Sequence, residues 1–377
     1  MASVESIIVG ASFGTFSFLM MLFHLVGFVN FPLKLHQTTG LSIGEHRWST
    51  SIWWFVQVAL TVICSILAKR NYDHLFNGLL LTDAMNNYFK FVIGVLTVCV
   101  TLTDSWFGIE THRSIWMRYR ALATKNGTFL GLVGRAELVR VLVHFIAICL
   151  VIVAVCGMVE YEMYYGITVG SQWHYFWTHN FYPYLISHFR HVYHLLHILL
   201  MAANLRQLQH KLGSMQHVTA VGVTERMEAY RAIYGELWQI NESINELFGF
   251  SQALNIACSF AQIAFDLYWM YTMWMQGSNH MDLQIWCLIP TPVIIGLLMC
   301  TARRHQLAVE ALEATVLDMN CSENAKLGRL RYIFLTQLFR TRIRLTAKDI
   351  FDFDYTLICK LVIVILTYVI IFTEMSR

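Results

Sequence analysis

Seven stretches of this chain are apolar for about 20 residues or more, at roughly 49–68, 88–107, 138–159, 179–203, 248–275, 283–302 and 352–373. A helix of that length spans the hydrocarbon core of a bilayer. Backbone immersed in lipid must satisfy its own hydrogen bonds, so continuous apolar runs at this spacing can fold only as a bundle of transmembrane helices. Composition agrees: of 377 residues, 56% are hydrophobic and 14% charged, mean hydropathy is +0.51, and only four are proline. These values exclude a water-soluble protein, and a net charge of +3 without a phosphate-cradling glycine loop excludes a nucleic-acid partner. An eighth apolar stretch, Ile7 to Phe31, lacks the charged leader of a signal peptide and either crosses the membrane or dips in and returns.

Lysine and arginine placement sets the orientation. Taking alternate connections from the one that follows the eighth stretch, one side receives 20 of the 27 cations. By the positive-inside rule that side is cytosolic, which puts the C-terminus outside. The sequons at Asn126, Asn241 and Asn320 then face the cytosol and are predicted to be unused. The nine cysteines follow no disulfide or zinc spacing, and no cofactor or metal ligand set is expected.

Helical periodicity continues beyond the spans. Leu205, Leu208, Leu212 and Met215 recur at intervals of three and four, as do Met227, Tyr230, Tyr234, Leu237, Asn241, Ile244 and Phe248. These stripes predict cytosolic helical extensions, and their heptad character predicts that they join subunits, with Asn241 a residue that fixes register. The expected division is a cytosolic N-terminus with the eighth stretch (1–48), spans one to four (49–204), anchor helices (205–247), spans five and six (248–302), further anchor helices (303–350) and a last span (351–377).

That last span ends Thr367-Tyr368-Val369-Ile370-Ile371-Phe372-Thr373-Glu374-Met375. It resembles the signature of insect gustatory receptors, which close their seventh helix with Thr-Tyr, five mostly hydrophobic residues and Gln-Phe. Thr367 and Tyr368 match, whereas Glu374 stands in place of Gln and Met375 in place of Phe. Asn245-Glu246-Leu247-Phe248-Gly249 at the entry to the fifth span resembles the same family, and Leu25-Val26-Gly27-Phe28-Val29-Asn30-Phe31-Pro32 does so more loosely.

The resemblance implies an all-α membrane protein with seven transmembrane helices, the N-terminus inside, and four subunits whose seventh helices line one pore. It implies a non-selective cation channel opened by a small-molecule tastant, passing monovalent cations and calcium at the plasma membrane of chemosensory neurons, as a homotetramer or with other gustatory receptors. It also makes Ile7 to Phe31 re-entrant or interfacial. In the related odorant co-receptor the gate lies four and eight residues after the motif threonine, which are Ile371 and Met375 here.

Within that frame Val364, Thr367, Ile371 and Met375 form one helical stripe, the expected pore lining, and apolar rings of Ile371 and Met375 would gate by dewetting. Glu374 lies about 60° around the helix from Ile371, where four carboxylates would concentrate cations at the outer mouth. Ligand residues are expected in the outer halves of spans two to six. Gln262, Asp266 and Trp269 share one face of span five, Asp266 being an ionisable group at membrane depth. Trp286, Trp177 and His188 complete the expected wall, and the aromatic excess favours an apolar, bitter-type compound over a sugar. Two rival classes fit less well. A secondary transporter would repeat its broken helices in both halves, but only Pro290 and Pro292 break a span. A G-protein-coupled receptor would reverse the orientation and carry Asp-Arg-Tyr, and no compact His, Asp or Ser constellation suggests an enzyme.

Overall fold

The structure is a computed structural model and describes residues 2–36, 40–71, 81–162, 178, 182–215, 222–275, 277, 281–320, 325–348 and 350–375. Eleven helices dominate these residues: α1 (Ala2–Leu25), α2 (Ile52–Arg70), α3 (Leu81–Phe107), α4 (Ile109–Asn126), α5 (Arg135–Glu162), α6 (Tyr182–Ser214), α7 (Val223–Met275), α8 (Met281–Leu288), α9 (Pro290–Leu317), α10 (Ala325–Arg340) and α11 (Tyr355–Met375). A short antiparallel hairpin, β1 (Leu33–His36) with β2 (Gly40–Ile43), pairs Leu33 with Ile43.

Six helical segments are long and apolar enough to cross a membrane: Trp48–Arg70, Ala84–Phe107, Arg135–Glu162, Val223–Met275, Ile285–Leu317 and Tyr355–Met375. The expected fourth span is α6, which is too polar to qualify because Arg190, His188, His191, His194 and His197 lie along it. A helix with that content is tolerated at membrane depth only when protein rather than lipid surrounds it. That is its situation here: α3, α5, α7 and α9 enclose it, and Arg190, His191, His194 and His197 are all buried.

Helix α7 organises the rest. Its 53 residues contain no proline, so it runs unbroken for about 80 Å at 1.5 Å per residue. It packs against α3, α4, α6, α8, α9, α10 and α11. The two heptad stripes behave differently from the sequence-based expectation. Leu205, Leu208, Leu212 and Met215, and Met227, Tyr234, Leu237, Asn241 and Ile244, are all buried within the single chain. An intramolecular helix seam has the same periodicity as an intersubunit one, so these stripes complete the chain's own core. Asn241 likewise serves the chain itself. Its Nδ2 donates to the Arg344 carbonyl at 2.6 Å, joined there by Asn245 Nδ2 at 2.9 Å.

The eighth apolar stretch, Ile7 to Phe31, forms most of α1 and the turn that stops it. Phe13, Phe16, Met20 and Phe23 follow at helical spacing and bury against Phe129, Trp116 of α4, and Phe189 and Tyr193 of α6. Gly27 takes a left-handed φ of 84°, ending the helix, and a Cβ there would sit 3.1 Å from the Trp54 backbone. The Phe28-Val29-Asn30-Phe31 segment singled out in the sequence is therefore a packed turn, each residue about 1% exposed.

Candidate ligand site and pore helix

Helix α3 carries a buried polar stripe, Asn86, Lys90, Thr97, Thr101 and Ser105, on the side facing α6 and α7. Near one end Lys90 Nζ lies 3.2 Å from Asp266 Oδ1, with side-chain exposures of 9% and 2%. The carboxylate's second oxygen accepts from Gln262 Nε2 at 2.7 Å, and Tyr184 Oη donates to Gln262 Oε1. Lys90 also sits 5.8 Å from the centroid of the Tyr184 ring. Three helices thus converge on one charged pair at membrane depth. Charges removed from water persist only when paired and further supported, and here Asp266 has Gln262 as its second partner while Lys90 has the Tyr184 ring.

The structure brings Gln262 and Asp266 together as the sequence suggests, and leaves Trp269 and Trp286 half-buried on α7 and α8. His188 is half-buried on α6, one turn from Tyr184, its Nδ1 3.9 Å from Cys156 Sγ and its Nε2 without a partner among the described residues. Trp177 lies outside the described residues. Lys90 and Tyr184 are additions that sequence spacing could not supply, although Lys90 is visible as a lone charge beside the second apolar run.

A second buried cation lies deeper. Arg190 is fully buried and donates to Ser251 Oγ at 2.8 and 3.0 Å, to the Leu247 carbonyl at 2.7 Å and to Ser105 Oγ at 3.4 Å. Its guanidinium faces the Phe248 ring at 4.4 Å. Asp104 Oδ2, which accepts from Ser251 N at 2.7 Å, is the nearby counter-charge. Below it, on α4 and outside the spans, Trp116 Nε1 donates to His112 Nε2 at 3.0 Å and Tyr193 Oη approaches the same nitrogen. Burial first, and the His197 and Arg190 charges second, hold the His112 pKa well below its ordinary 6.5.

Helix α11 shows two contrasting faces. Leu357, Ile365 and Phe372 are buried and Tyr368 half-buried, with Phe265 and Tyr268 of α7 meeting Tyr368 and Phe372 edge to face. Val364, Thr367, Ile371, Glu374 and Met375 are exposed on the other side. The motif tyrosine fixes this arrangement: Tyr368 Oη donates to Asn86 Oδ1 at 2.8 Å, tying α11 to α3 one turn from Lys90. Asp354 starts the helix, accepting from Leu357 N at 3.1 Å and Thr356 Oγ1 at 2.6 Å. Lys360 is exposed and pairs with neither Asp352 nor Asp354.

Residues 16–374, nearly the whole chain, match the 7tm chemosensory receptor family. The chain belongs to the 7tm chemosensory receptor family. It is a multi-pass membrane receptor and not an enzyme. The insect olfactory receptor OR5 from Machilis hrabei has a similar fold, with a TM-score of 0.63 at 10% identity, covering 94% of this receptor and 96% of OR5. OR5 in complex with eugenol is similar at a TM-score of 0.60 and 10% identity, covering 95% and 97%. No curated protein matches the sequence.

Proposed function

We propose that this receptor is a gustatory-type, ligand-gated, non-selective cation channel of the plasma membrane in chemosensory neurons, formed by four subunits and opened by an apolar, bitter-type tastant. The observation that carries this reading is the division of α11 into a packed face and a broad exposed face, along which Val364, Thr367, Ile371 and Met375 form one stripe beside Ile363, Leu366 and Ile370. An apolar stripe that finds no place in its own chain, on a helix held by its opposite face, suits a pore shared between copies. Four Ile371 and Met375 rings then form the dewetting gate, with Glu374 at the outer mouth.

The ligand site in this reading is the Lys90–Asp266 pair with Gln262, Tyr184, His188, Trp269 and Trp286 around it, and the likeness to a receptor solved with eugenol supports a small-molecule occupant. A ligand that draws on Gln262 or the tryptophan faces displaces α7 against α3. Lys90 and Asn86 are four residues apart on one face of α3, so that displacement reaches Tyr368 and the pore helix. The N-terminus lies inside and the C-terminus outside.

The test is Glu374→Gln in cells responding to a tastant. Calcium permeability relative to sodium should fall while ligand activation persists, because the ligand site is on other helices. Unchanged permeability would make Glu374 a terminal residue outside the conduction path.

A further inference from the structure

At the arginine-rich end of the receptor, α9 and the segment that enters α11 enclose a cavity of about 280 Å³. Its wall includes His305 of α9, 1% exposed, whose Nε2 has no hydrogen-bond partner among the described residues. Arg342, Arg344 and Asp352, all exposed, form its rim, and Asp354 completes the charged set.

Two of these charges are already engaged. Arg342 Nε is 3.3 Å from Glu313, and Asp354 caps α11. The guanidinium of Arg344 and the carboxylate of Asp352 enter no ion pair among the described residues. Their mutual arrangement is imposed from elsewhere. The Arg344 carbonyl is gripped by Asn241 and Asn245, and Thr346 and Asp352 face each other across a single antiparallel bridge. The segment is pressed close to α7, since a Cβ on Gly249 would lie 2.7 Å from Lys348 Cβ, and Lys348 itself adopts a left-handed φ of 49°.

The cavity therefore offers one uncommitted cation and one uncommitted anion, with a lining whose formal charges cancel. A simple anion would meet the aspartates and a simple cation the arginines. An apolar occupant would cover Arg344 and Asp352 without pairing either. We propose that the cavity binds a small zwitterion, its oxyanion on Arg344 and its primary ammonium on Asp352, supplied either as a free amino acid or as a phosphatidylethanolamine headgroup. Because Asp354 of the same wall caps α11, occupancy biases the start of that helix. That consequence rests on the pore assignment above, whereas the binding itself does not.

The experiment is calorimetric titration of the full-length receptor in phosphatidylcholine nanodiscs, whose quaternary ammonium cannot donate to Asp352, with L-leucine and with O-phosphoethanolamine. At least one should bind saturably, and Arg344→Gln and Asp352→Asn should each weaken it tenfold or more. Arg340→Gln, on an exposed residue off the cavity wall, should leave the affinity unchanged. Both test positions are exposed, and retained thermal unfolding midpoints establish that the variants fold. Binding of L-leucine supports the amino-acid source. Binding of O-phosphoethanolamine that is lost when the nanodiscs contain phosphatidylethanolamine supports the lipid source. Binding of neither probe, affinity unchanged in both variants, or inorganic phosphate binding as tightly as O-phosphoethanolamine would overturn the proposal. None of these readouts requires current, so a receptor that binds but does not conduct contradicts only the channel reading.

Discussion

Removing one member of the Lys90–Asp266 pair should be far more damaging than removing both. At 3.2 Å, two unit charges in a medium of effective dielectric about 20 attract by roughly 5 kcal/mol. That attraction offsets the cost of holding both charges away from water. Asp266→Leu abolishes the attraction and leaves Lys90 at 9% exposure with an uncompensated charge, so it should cost about 3–5 kcal/mol. Lys90→Met strands Asp266 in the same way, although Gln262 Nε2 still donates to it and softens the loss. The double variant replaces the pair with apolar groups of similar size and should lie within about 2 kcal/mol of the parent. The remaining deficit is the Gln262 amide, which loses its acceptor. A double-mutant cycle on thermal unfolding in nanodiscs reads these terms, with an expected coupling of at least about 2 kcal/mol. The same four proteins, tested for ligand response, separate architecture from recognition: a stable double variant that no longer responds places the pair in the ligand site. Single variants costing under about 1 kcal/mol would mean that water reaches both charges, and the reasoning from burial would be wrong.

Two individual residues give further outcomes. Tyr368→Phe removes the donor to Asn86, which is buried and whose Nδ2 also has no partner among the described residues; the orphaned amide should cost about 1–3 kcal/mol and shift the ligand dose-response curve without loss of surface expression. His112 has a folded pKa lowered by burial, so it binds protons more readily when unfolded: its contribution to stability is complete above about pH 6.5 and is lost as pH falls below that value. The unfolding free energy should fall between pH 7.5 and 5.5, His112 contributing up to about 1.4 kcal/mol per pH unit below about pH 6.5, and His112→Gln should lessen that dependence without abolishing it, because His191, His194, His197 and His305 are buried too.

Much of this architecture is legible in the sequence because a bilayer imposes a length that any reader can count. Six helical segments apolar enough to cross a membrane fall where six of the apolar runs lie, the fourth run becomes the buried α6, and Thr367-Tyr368 marks the helix that proves to be half-packed. Periodicity alone could not tell where a stripe docks: Leu205 to Met215 has the pattern of a subunit seam and closes the receptor's own core instead. Nor could it pair residues across the chain. Lys90 and Asp266 are 176 positions apart, and Tyr368 and Asn86 are 282 apart. Asp266 and Lys90 are visible singly as charges within or beside an apolar run, which signals that a partner must exist without saying which, whereas Asn86 carries no such signal. Arg190 is the sharpest example, a mid-span arginine whose partners come from α3 and α7. The cavity under α11 had no sequence signal, since it arises from a loop folded back on α7 and α9.

The pore assignment is tested most directly by cysteine substitution along α11, in a background where the exposed Cys99, Cys300 and Cys359 are replaced by serine. Val364→Cys, Thr367→Cys, Ile371→Cys and Met375→Cys should each let a charged, membrane-impermeant thiol reagent block ligand-evoked current, with Ile365→Cys and Phe372→Cys unaffected because those positions are buried against the receptor's own helices. Block at the buried positions but not along the exposed stripe, or no block anywhere on α11, would contradict the assignment of this helix to the conduction path.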